Sequence, residues 1–360
     1  MQVVTNFQRF PATWQTESGV WGETIPTGPN LWETFRRTAR ADLVIINCDL
    51  QLTLGLALLF RLMPWRRKPL VAVDLVLRKP RTPRQRLVAR AHREVLKRVD
   101  HFIHLFRDLD GYQRLYGIGP ERSDFVLFKC NLWERAAQIE RAEGESGYVL
   151  CAGKSLRDFE TFFDAVDGLP FPAAISEPDP AELARHGARF TRALSRLPAN
   201  VRRIPDGGDS MSFARLLAGA RVVVIPTLDS SLCASGISTY LDAMMLDRPV
   251  VISDGPGVTE LLREEAERVP PGDVARLRDA ICRMWGDAAL RQRRVSAGRE
   301  LVAKAEGEAA YLRRVLNRSV AWFLERQGIR TLVQKPAQEH AAPGAASAGR
   351  GLRSSRAPGA

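Results

Sequence analysis

Residues 222–262 read VVVIPTLDSSLCASGISTYLDAMMLDRPVVISDGPGVTELL, a stretch in which two strand patterns flank one helix pattern. The first apolar run ends at Pro226, a loop of small residues follows, and SGIST opens a helix that carries Tyr240 and Met244 on one apolar face. The second apolar run, RPVVIS, ends in the glycine-rich turn DGPG. Short, nearly continuous apolar strands joined by a helix indicate a parallel sheet that is covered on both faces.

The same alternation of strand and helix extends through most of the chain. Predicted strands lie at 2–6, 41–49, 69–76, 101–106 and 123–128, and a second series lies at 148–153, 171–176, 200–205, 221–226 and 248–253. Two such series predict an α/β fold with two Rossmann-like domains.

Changes in composition predict where the domains begin and end. We expect a first domain at 1–135, a linker at 136–147, a second domain at 148–307 and a last amphipathic helix at 308–330. Residues 335–360 consist mainly of Ala, Gly, Ser, Pro and Arg and are predicted to be disordered. Residues 7–30 are rich in Gly, Pro, Thr and Trp, which predicts a long loop after the first strand.

The charge of the chain is concentrated in one segment. The 360 residues are 45% hydrophobic and 26% charged, which excludes peptide hormones and wholly disordered proteins. The net charge is +12, and residues 61–98, here called the basic band, carry 13 cations against two carboxylates. Such a band indicates an anionic partner, either a membrane surface or a glycan. Nucleic acid is not expected, because no stacking aromatics are interleaved with the cations.

The cysteines and the apolar runs bear on the cellular location. Five widely spaced cysteines without a CxxC pair predict neither disulfides nor a metal site. The N-terminus lacks a signal-peptide pattern, and no run approaches the ~18 apolar residues that a spanning helix needs. We therefore expect a cytoplasmic protein, peripheral at the inner membrane face.

The apolar segment 52–65, LTLGLALLFRLMPW, has two interpretations. A Trp beside Arg66, Arg67 and Lys68 is typical of an interfacial membrane anchor. The alternative is a buried helix of an α/β domain whose last turn reaches solvent. The two are compatible if the helix contacts the membrane by its end.

The loop before the SGIST helix is a candidate phosphate site. A small-residue loop at a helix N-terminus presents free backbone N–H groups and the positive end of the helix dipole. Gly236 would allow close approach of a diphosphate, and Ser238 and Thr239 would add hydroxyl donors. The alternative is that Ser238 simply caps the helix.

A second candidate phosphate site follows the strand at 148–153. In YVLCAGKSLRDF, Lys154 and Arg157 stand at the mouth of a helix. Two cations at the carboxyl end of a strand suit a phosphate group. The alternative is a solvated pair, with Arg157 against Asp158.

These motifs resemble a known family. GK-x-x-RDF at 153–159, ARVVVIP at 220–226 and SGISTYLDAM-x-x-DRPVV at 235–251 are similar to the nucleotide-sugar half of GT-B glycosyltransferases, specifically retaining family 4, glycosyl transferases group 1. The resemblance covers roughly 148–300 well and 41–135 more loosely. It implies two domains that face each other across a cleft, with the last helix crossing back onto the first domain.

The resemblance also implies roles for individual residues. Lys154 and Arg157 would contact the donor diphosphate, and Asp242, which stands where the family has the Glu that binds the ribose, would bind the ribose. The first Glu of the family's E-x7-E pair is Ala234 here, so Asp229 is the nearest carboxylate for the donor sugar. In the first domain, Asp74 at a strand end is the candidate catalytic residue, against the alternative that it caps a turn.

The implied activity is hexosyl transfer from a nucleotide-sugar to a glycan or lipid-linked acceptor in polysaccharide or glycoconjugate biosynthesis. We expect retention of configuration, with no metal and no cofactor besides the nucleotide-sugar co-substrate. Two alternatives are a nucleotide-sugar epimerase of the same fold and a catalytically degenerate binding homologue.

Overall fold

The computed structural model of the chain describes residues 1–25, 30–140, 147–205 and 207–329. Its strands form two separate sheets, each parallel apart from one edge strand in the first. The two predicted Rossmann-like domains are therefore confirmed.

The first sheet has the strand order β2-β3-β1-β4-β5-β6-β7. Its strands are β1 (Gln2–Thr5), β2 (Thr13–Gln15), β3 (Trp21–Thr24), β4 (Leu43–Asn47), β5 (Leu70–Val73), β6 (His101–His104) and β7 (Ser123–Phe125). The central strands β4, β5 and β6 are buried almost throughout because helices cover both of their faces.

The second sheet has the order β10-β9-β8-β11-β12-β13. Its strands are β8 (Tyr148–Cys151), β9 (Ala173–Ser176), β10 (Val201–Ile204), β11 (Ala220–Ile225), β12 (Val250–Ser253) and β13 (Ala266–Val269). Strand β13 was not predicted from the sequence, because it is an edge strand whose two central residues, Glu267 and Arg268, are polar.

Helices connect the strands of both sheets. In the described residues they are α1 (Leu31–Arg37), α2 (Leu50–Leu62), α3 (Pro83–Leu96), α4 (Asp110–Tyr116), α5 (Phe159–Val166), α6 (Pro180–Arg185), α7 (Ser210–Ala218), α8 (Ile237–Met245), α9 (Val274–Gly286), α10 (Ala288–Ala305) and α11 (Glu308–Arg326). Helix α3 begins with a capping box between Thr82 and Gln85. Short 3-10 turns occupy several of the connections.

The prediction of a long loop at 7–30 is wrong at residues 13–15 and 21–24, which form strands. Strands β2 and β3 form an antiparallel hairpin, and β3 pairs with β1 in the first sheet. The sequence signal is weak because each strand has only three or four residues. Gly22 lies in β3 directly against the indole of Trp14, where a Cβ atom would overlap the ring. Residues 26–29 of the predicted loop lie outside the described residues.

Helix α11 returns to the first domain, as expected for the last helix. Arg318 Nε donates to Asp124 Oδ2 at 2.6 Å, and the Trp322 ring stacks on His101 with centroids 5.0 Å apart. Tyr311 packs edge-on against Phe7 near the start of the chain. The helix therefore ties the two ends of the described chain together.

Helix α2 fits the interpretation of the segment 52–65 as a buried helix whose end reaches solvent, and the membrane-anchor interpretation stays a prediction. Leu52, Leu56 and Phe60 are buried, while Leu62 and Trp65 at its end are exposed. Among the described residues, no helix is long and apolar enough to cross a membrane. The predicted disordered tail 335–360 and residues 141–146 of the predicted linker lie outside the described residues.

Candidate active site

A cavity of about 680 Å³ lies at the carboxyl ends of strands from both sheets. Ligands of open α/β sheets bind at this edge, because loops and helix N-termini meet there. Six of the eight predicted site residues line this cavity: Asp74, Lys154, Arg157, Gly236, Ser238 and Thr239. They come from three segments that lie more than 75 positions apart in the sequence, and their roles stay predictions.

Arg157 is the most buried cation of the cavity, with 1% of its surface exposed. Its Nε donates to the Ala152 carbonyl at 2.5 Å, and its Nη1 donates to the Ser155 carbonyl at 3.2 Å. Its Nη2 lies 3.5 Å from Thr239 Oγ1, beside the start of α8. Burial lowers the pKa of the guanidinium to about 10, which still leaves it charged at neutral pH.

No carboxylate of the described residues forms an ion pair with Arg157. The interpretation that pairs Arg157 with Asp158 is wrong, because Asp158 caps α5 and is bound by Arg189 at 2.7 Å. A buried cation without a counter-ion is unfavourable. An anion in the cavity would supply the missing partner.

The N-terminus of α8 faces the same cavity. Gly236 is its N-cap, with a φ of +98°, and no side chain of the described residues caps the helix. The alternative role of Ser238 as the cap is therefore wrong. The Ile237 N–H donates to the Ala234 carbonyl at 3.3 Å. The following N–H groups of the first turn and the positive end of the helix dipole face the cavity, where a ligand can bind them.

Gly153 and Gly236 bring the backbone close to Arg157. A Cβ on Gly153 would overlap Arg157 Nη2, and one on Gly236 would lie 3.3 Å from that same atom. Gly153 has a φ of +85°, which L side chains rarely adopt. The two glycines therefore form a cradle that only residues without a side chain can build.

Lys154 is held by a neighbouring helix. Its Nζ donates to Glu182 Oε2 of α6 at 2.8 Å, and 37% of its side chain is exposed. The amine is accessible from the cavity and is already oriented by the carboxylate. An exposed pair of this kind contributes little stability, so a diphosphate can compete for the amine.

Asp74 follows β5 and belongs to the first domain. Its backbone has a φ of +48°, and its amide donates to the Ile103 carbonyl at 2.8 Å. Burial raises the pKa of the carboxyl group to about 6. The raised pKa suits a group that accepts a proton or a hydrogen bond near neutral pH.

Backbone strain is concentrated around the cavity. In the described residues five non-glycine residues have a positive φ, and three of them, Cys48, Asp74 and Leu156, line this cavity. Such conformations cost roughly 1–3 kcal/mol each and persist where the surrounding structure enforces them. The strain supports a functional role for this edge of the two sheets.

Sequence reasoning missed other residues of the cavity, notably Arg78 and His186. Arg78 stands four residues after Asp74, but it lies within the basic band, where nothing local distinguishes it from the neighbouring cations. His186 Nδ1 lies 3.4 Å from Ser155 Oγ. No local pattern marks His186, since it follows a short helix whose position depends on the fold.

The two remaining site predictions do not fit the cavity. Asp242 is buried in α8, where Oδ1 accepts from the amides of Asn131 at 2.8 Å and Leu132 at 3.2 Å, and Oδ2 accepts from Asn131 Nδ2 at 3.2 Å. Asp229 lines a different cavity and pairs with Arg81 at 3.0 Å. Neither carboxylate lines the candidate active site.

Comparisons with known proteins agree with this architecture. Residues 192–287 match the family of glycosyl transferases group 1. A search of curated proteins found no match.

Solved structures match over most of the chain. Sucrose-phosphate synthase from Thermosynechococcus elongatus is 15% identical, with a TM-score of 0.59, over 90% of this chain and 89% of that one. HepE from Anabaena, in complex with UDP and glucose, is 14% identical, with a TM-score of 0.60, over 84% and 86% of the two chains. A UDP-forming α,α-trehalose-phosphate synthase from Burkholderia vietnamiensis is 15% identical, with a TM-score of 0.58, over 90% and 99%.

At these identities the solved structures establish the GT-B fold, and the family match lies in the second domain. Residues 192–287 thus resemble glycosyl transferases group 1, and over most of its length the chain has the GT-B fold of these solved structures.

Proposed function

We propose that the protein transfers a hexosyl group from a uridine-diphosphate sugar to a hydroxyl group of a glycan or lipid-linked acceptor. The proposal rests on the buried Arg157 guanidinium, which lies beside the uncapped N-terminus of α8. Among the described residues this guanidinium has no carboxylate partner. Solved neighbours bind UDP or UDP-glucose in a GT-B fold, which supports uridine as the base.

The positive charge of this cavity would act on the leaving group. As the bond between the sugar and the diphosphate breaks, negative charge grows on the diphosphate. Lys154, Arg157 and the α8 N-terminus together stabilise that charge in a partly desolvated site. These groups can fill the role that a divalent metal fills elsewhere, and the reaction is proposed to be metal-independent and to need no further cofactor.

Asp74 is proposed to act on the acceptor from the opposite domain. Retention of configuration with a single strand-end carboxylate fits attack on the face from which the diphosphate leaves, with a phosphate oxygen taking part in removal of the acceptor proton. Asp74 then accepts a hydrogen bond from the acceptor hydroxyl and orients it. We place the reaction in polysaccharide or glycoconjugate biosynthesis.

The end of α2 supports association with an anionic membrane. Leu62 is 63% exposed and Trp65 is 77% exposed, and they lie next to Arg66, Arg67 and Lys68. Apolar and indole side chains beside cations bind at the headgroup level of anionic bilayers. We propose a cytoplasmic protein that binds the inner membrane face peripherally through the basic band.

Vesicle flotation tests the membrane proposal. We expect wild type to float with vesicles that contain phosphatidylglycerol and not with pure phosphatidylcholine, and we expect the double variant Leu62→Ser, Trp65→Ser to stay in solution. Trp21→Ser removes an exposed indole elsewhere on the first domain and serves as the control. Equal flotation of all three proteins, or binding to RNA in place of vesicles, would contradict the proposal.

A thermal-shift screen of nucleoside diphosphates tests the proposed donor. A ligand at 100 times its dissociation constant raises the free energy of unfolding by about 2.7 kcal/mol. We expect a rise in Tm with UDP that is larger than with ADP or GDP. No shift with any of them would indicate a degenerate homologue.

A product assay distinguishes the proposed sugar transfer from the alternative activity of a nucleotide-sugar epimerase. Incubation with UDP-N-acetylhexosamine alone would give an epimerised sugar nucleotide if the protein were an epimerase. We expect no epimerised product, and we expect release of UDP only when an acceptor is present.

A further inference from the structure

We propose that the cavity between segment 76–82 and helix α3 binds a phosphate group carried by the acceptor. The inference deepens the proposed function and rests on it, since it names the chemical class of the acceptor. The cavity has a volume of about 790 Å³ and adjoins the candidate active site. It is lined by both domains, with Leu156, Gly187, Leu228 and Ser230 on the side of the second domain.

The charged side chains of this cavity are all cationic. Arg78, Lys79, Arg81 and Arg84 line it, and no Asp or Glu of the described residues does. Within that part of the chain only Arg81 of these four has a carboxylate partner, Asp229 at 3.0 Å. A concave surface with one sign of charge concentrates anions of the opposite sign.

Arg78 joins this cavity to the candidate active site. It lines both, together with Val76 and Leu156. Tyr116 Oη donates to the Arg78 carbonyl at 2.8 Å, and Arg78 Nη2 donates to the Arg185 carbonyl of the second domain at 3.3 Å. An anion in the second cavity would therefore lie next to the space that contains Asp74.

The remaining lining of the cavity is largely apolar. Leu50, Val76, Leu77 and Val88 come from the first domain. The cavity can thus accept a doubly charged phosphate together with a less polar group esterified to it. Phosphate monoesters carry about −1.5 to −2 charges near neutral pH. Arg78, Lys79 and Arg84, which have no carboxylate partner in the described part of the chain, can balance this charge.

One ligand chemistry fits this combination, and it has two possible sources. The phosphate can belong to a sugar phosphate or to a lipid phosphate. Arginine and lysine recognise the same phosphate oxygens in both cases. The experiment therefore compares the two kinds of ester.

Calorimetric titration of the protein saturated with UDP tests the proposal. UDP fills the donor site, so the titrated ligands report on the remaining space. The titrants are glucose 6-phosphate, geranyl phosphate and glucose. We expect at least one phosphate ester to bind, with an affinity that falls as salt is raised, and we expect glucose to bind at least about tenfold more weakly.

Two variants, one within α3 and one just after it, each remove one positive charge and make the test specific. Arg84→Gln removes a cation that lines the cavity, and we expect it to weaken binding of the phosphate ester about tenfold. Arg98→Gln removes an exposed cation that lines none of the described cavities, and we expect no change. Both variants should bind UDP as wild type does.

The outcomes separate this inference from the proposed function. Normal UDP binding with no preference for phosphate esters over glucose would overturn the phosphate site alone, as would equal effects of the two variants. Failure of wild type to bind UDP would count against the proposed function. If glucose 6-phosphate binds more tightly than geranyl phosphate, the acceptor is a sugar phosphate, and the reverse order indicates a lipid phosphate.

Discussion

At the scale of single residues, the proposed donor site depends on Arg157. We expect Arg157→Ala to lower turnover by about 100-fold and to weaken UDP binding, because the charge that balances the leaving diphosphate is lost. Lys154→Ala should lower turnover to a similar extent. Steady-state kinetics and UDP titration measure both effects.

A nearby arginine provides the control. Arg189 lies at the same end of α5 and pairs with the buried Asp158 at 2.7 Å, away from the cavity lining. We expect Arg189→Ala to lower Tm while UDP affinity stays close to that of wild type. Full turnover in Arg157→Ala would refute the diphosphate assignment.

Asp74 links pH to both activity and stability. Because its pKa is raised to about 6 in the folded state, the protonated form is favoured there, and the ionised form lowers stability as pH rises from about 4 to 6. We expect Asp74→Asn to raise the free energy of unfolding by on the order of 2 kcal/mol above about pH 7 and to lose this gain between about pH 6 and pH 4.

The activity of Asp74→Asn distinguishes a functional carboxylate from a structural one. We expect wild-type turnover to fall as pH drops through about 6, and we expect the variant to be slow at every pH, without that inflection. Denaturant melts and pH–rate profiles provide the data. A variant that is less stable and fully active would show that Asp74 only holds its turn.

At the scale of secondary-structure elements, the N-terminus of α8 depends on Gly236. Its φ is +98°, and a Cβ atom added to it would lie only 2.8 Å from Ile225 Cγ2, which leaves no room for a side chain. We expect Gly236→Ala to lower Tm and to weaken UDP binding at least about tenfold, because the added methyl group also shifts Arg157.

Gly168→Ala is the matched control for that element. Gly168 has a φ of +73° and nothing within 4 Å of the place where a Cβ atom would stand, so it shares the backbone strain without the crowding. We expect a loss of about 1 kcal/mol in stability and unchanged UDP binding. Equal UDP affinities of the two variants would show that the α8 N-terminus does not bind the nucleotide.

At the scale of the whole molecule, Asp242 joins α8 to the segment that follows the first sheet. Its carboxylate accepts hydrogen bonds from the amides of Asn131 and Leu132, and both amides would lose this partner in Asp242→Ala. We expect that variant to lose about 2–4 kcal/mol of stability, while the folded fraction binds UDP nearly as wild type does.

The effect of Asp242→Ala on stability and UDP binding decides between two roles for Asp242. Resemblance to the family places the Asp242 carboxylate on the ribose, whereas the structure commits both of its oxygens to residues 131 and 132. Asp242→Asn retains one acceptor and should keep most of the stability. A selective loss of UDP affinity without a loss of stability would restore the ribose role.

Much of the fold was predictable because local apolar patterns encode it. Ten predicted strands overlap observed ones, and the last helix runs from Glu308 to Arg326 inside the predicted 308–330. The hairpin of β2 and β3 and the edge strand β13 were not predicted, since three or four residues with polar members show no clear periodicity.

The candidate site, like the fold, was predictable only in part. The strand–loop–helix motifs identified Arg157 and Gly236, since a glycine turn and a cation at a helix N-terminus are local features. The choice of Asp229 and Asp242 relied on the family resemblance, which carries no information about which side chains of this chain become hydrogen-bonded to a distant segment.

By itself the sequence determined two α/β domains, a candidate diphosphate site and a basic band, because periodicity, turn residues and charge are properties of residues close together in the chain. Only the tertiary structure decided that Arg157 is buried without a carboxylate partner among the described residues, that Asp242 is occupied by another segment, and that Arg78 joins two cavities. Burial and hydrogen-bond partners arise from contacts between residues far apart in the chain, and packing alone sets those contacts.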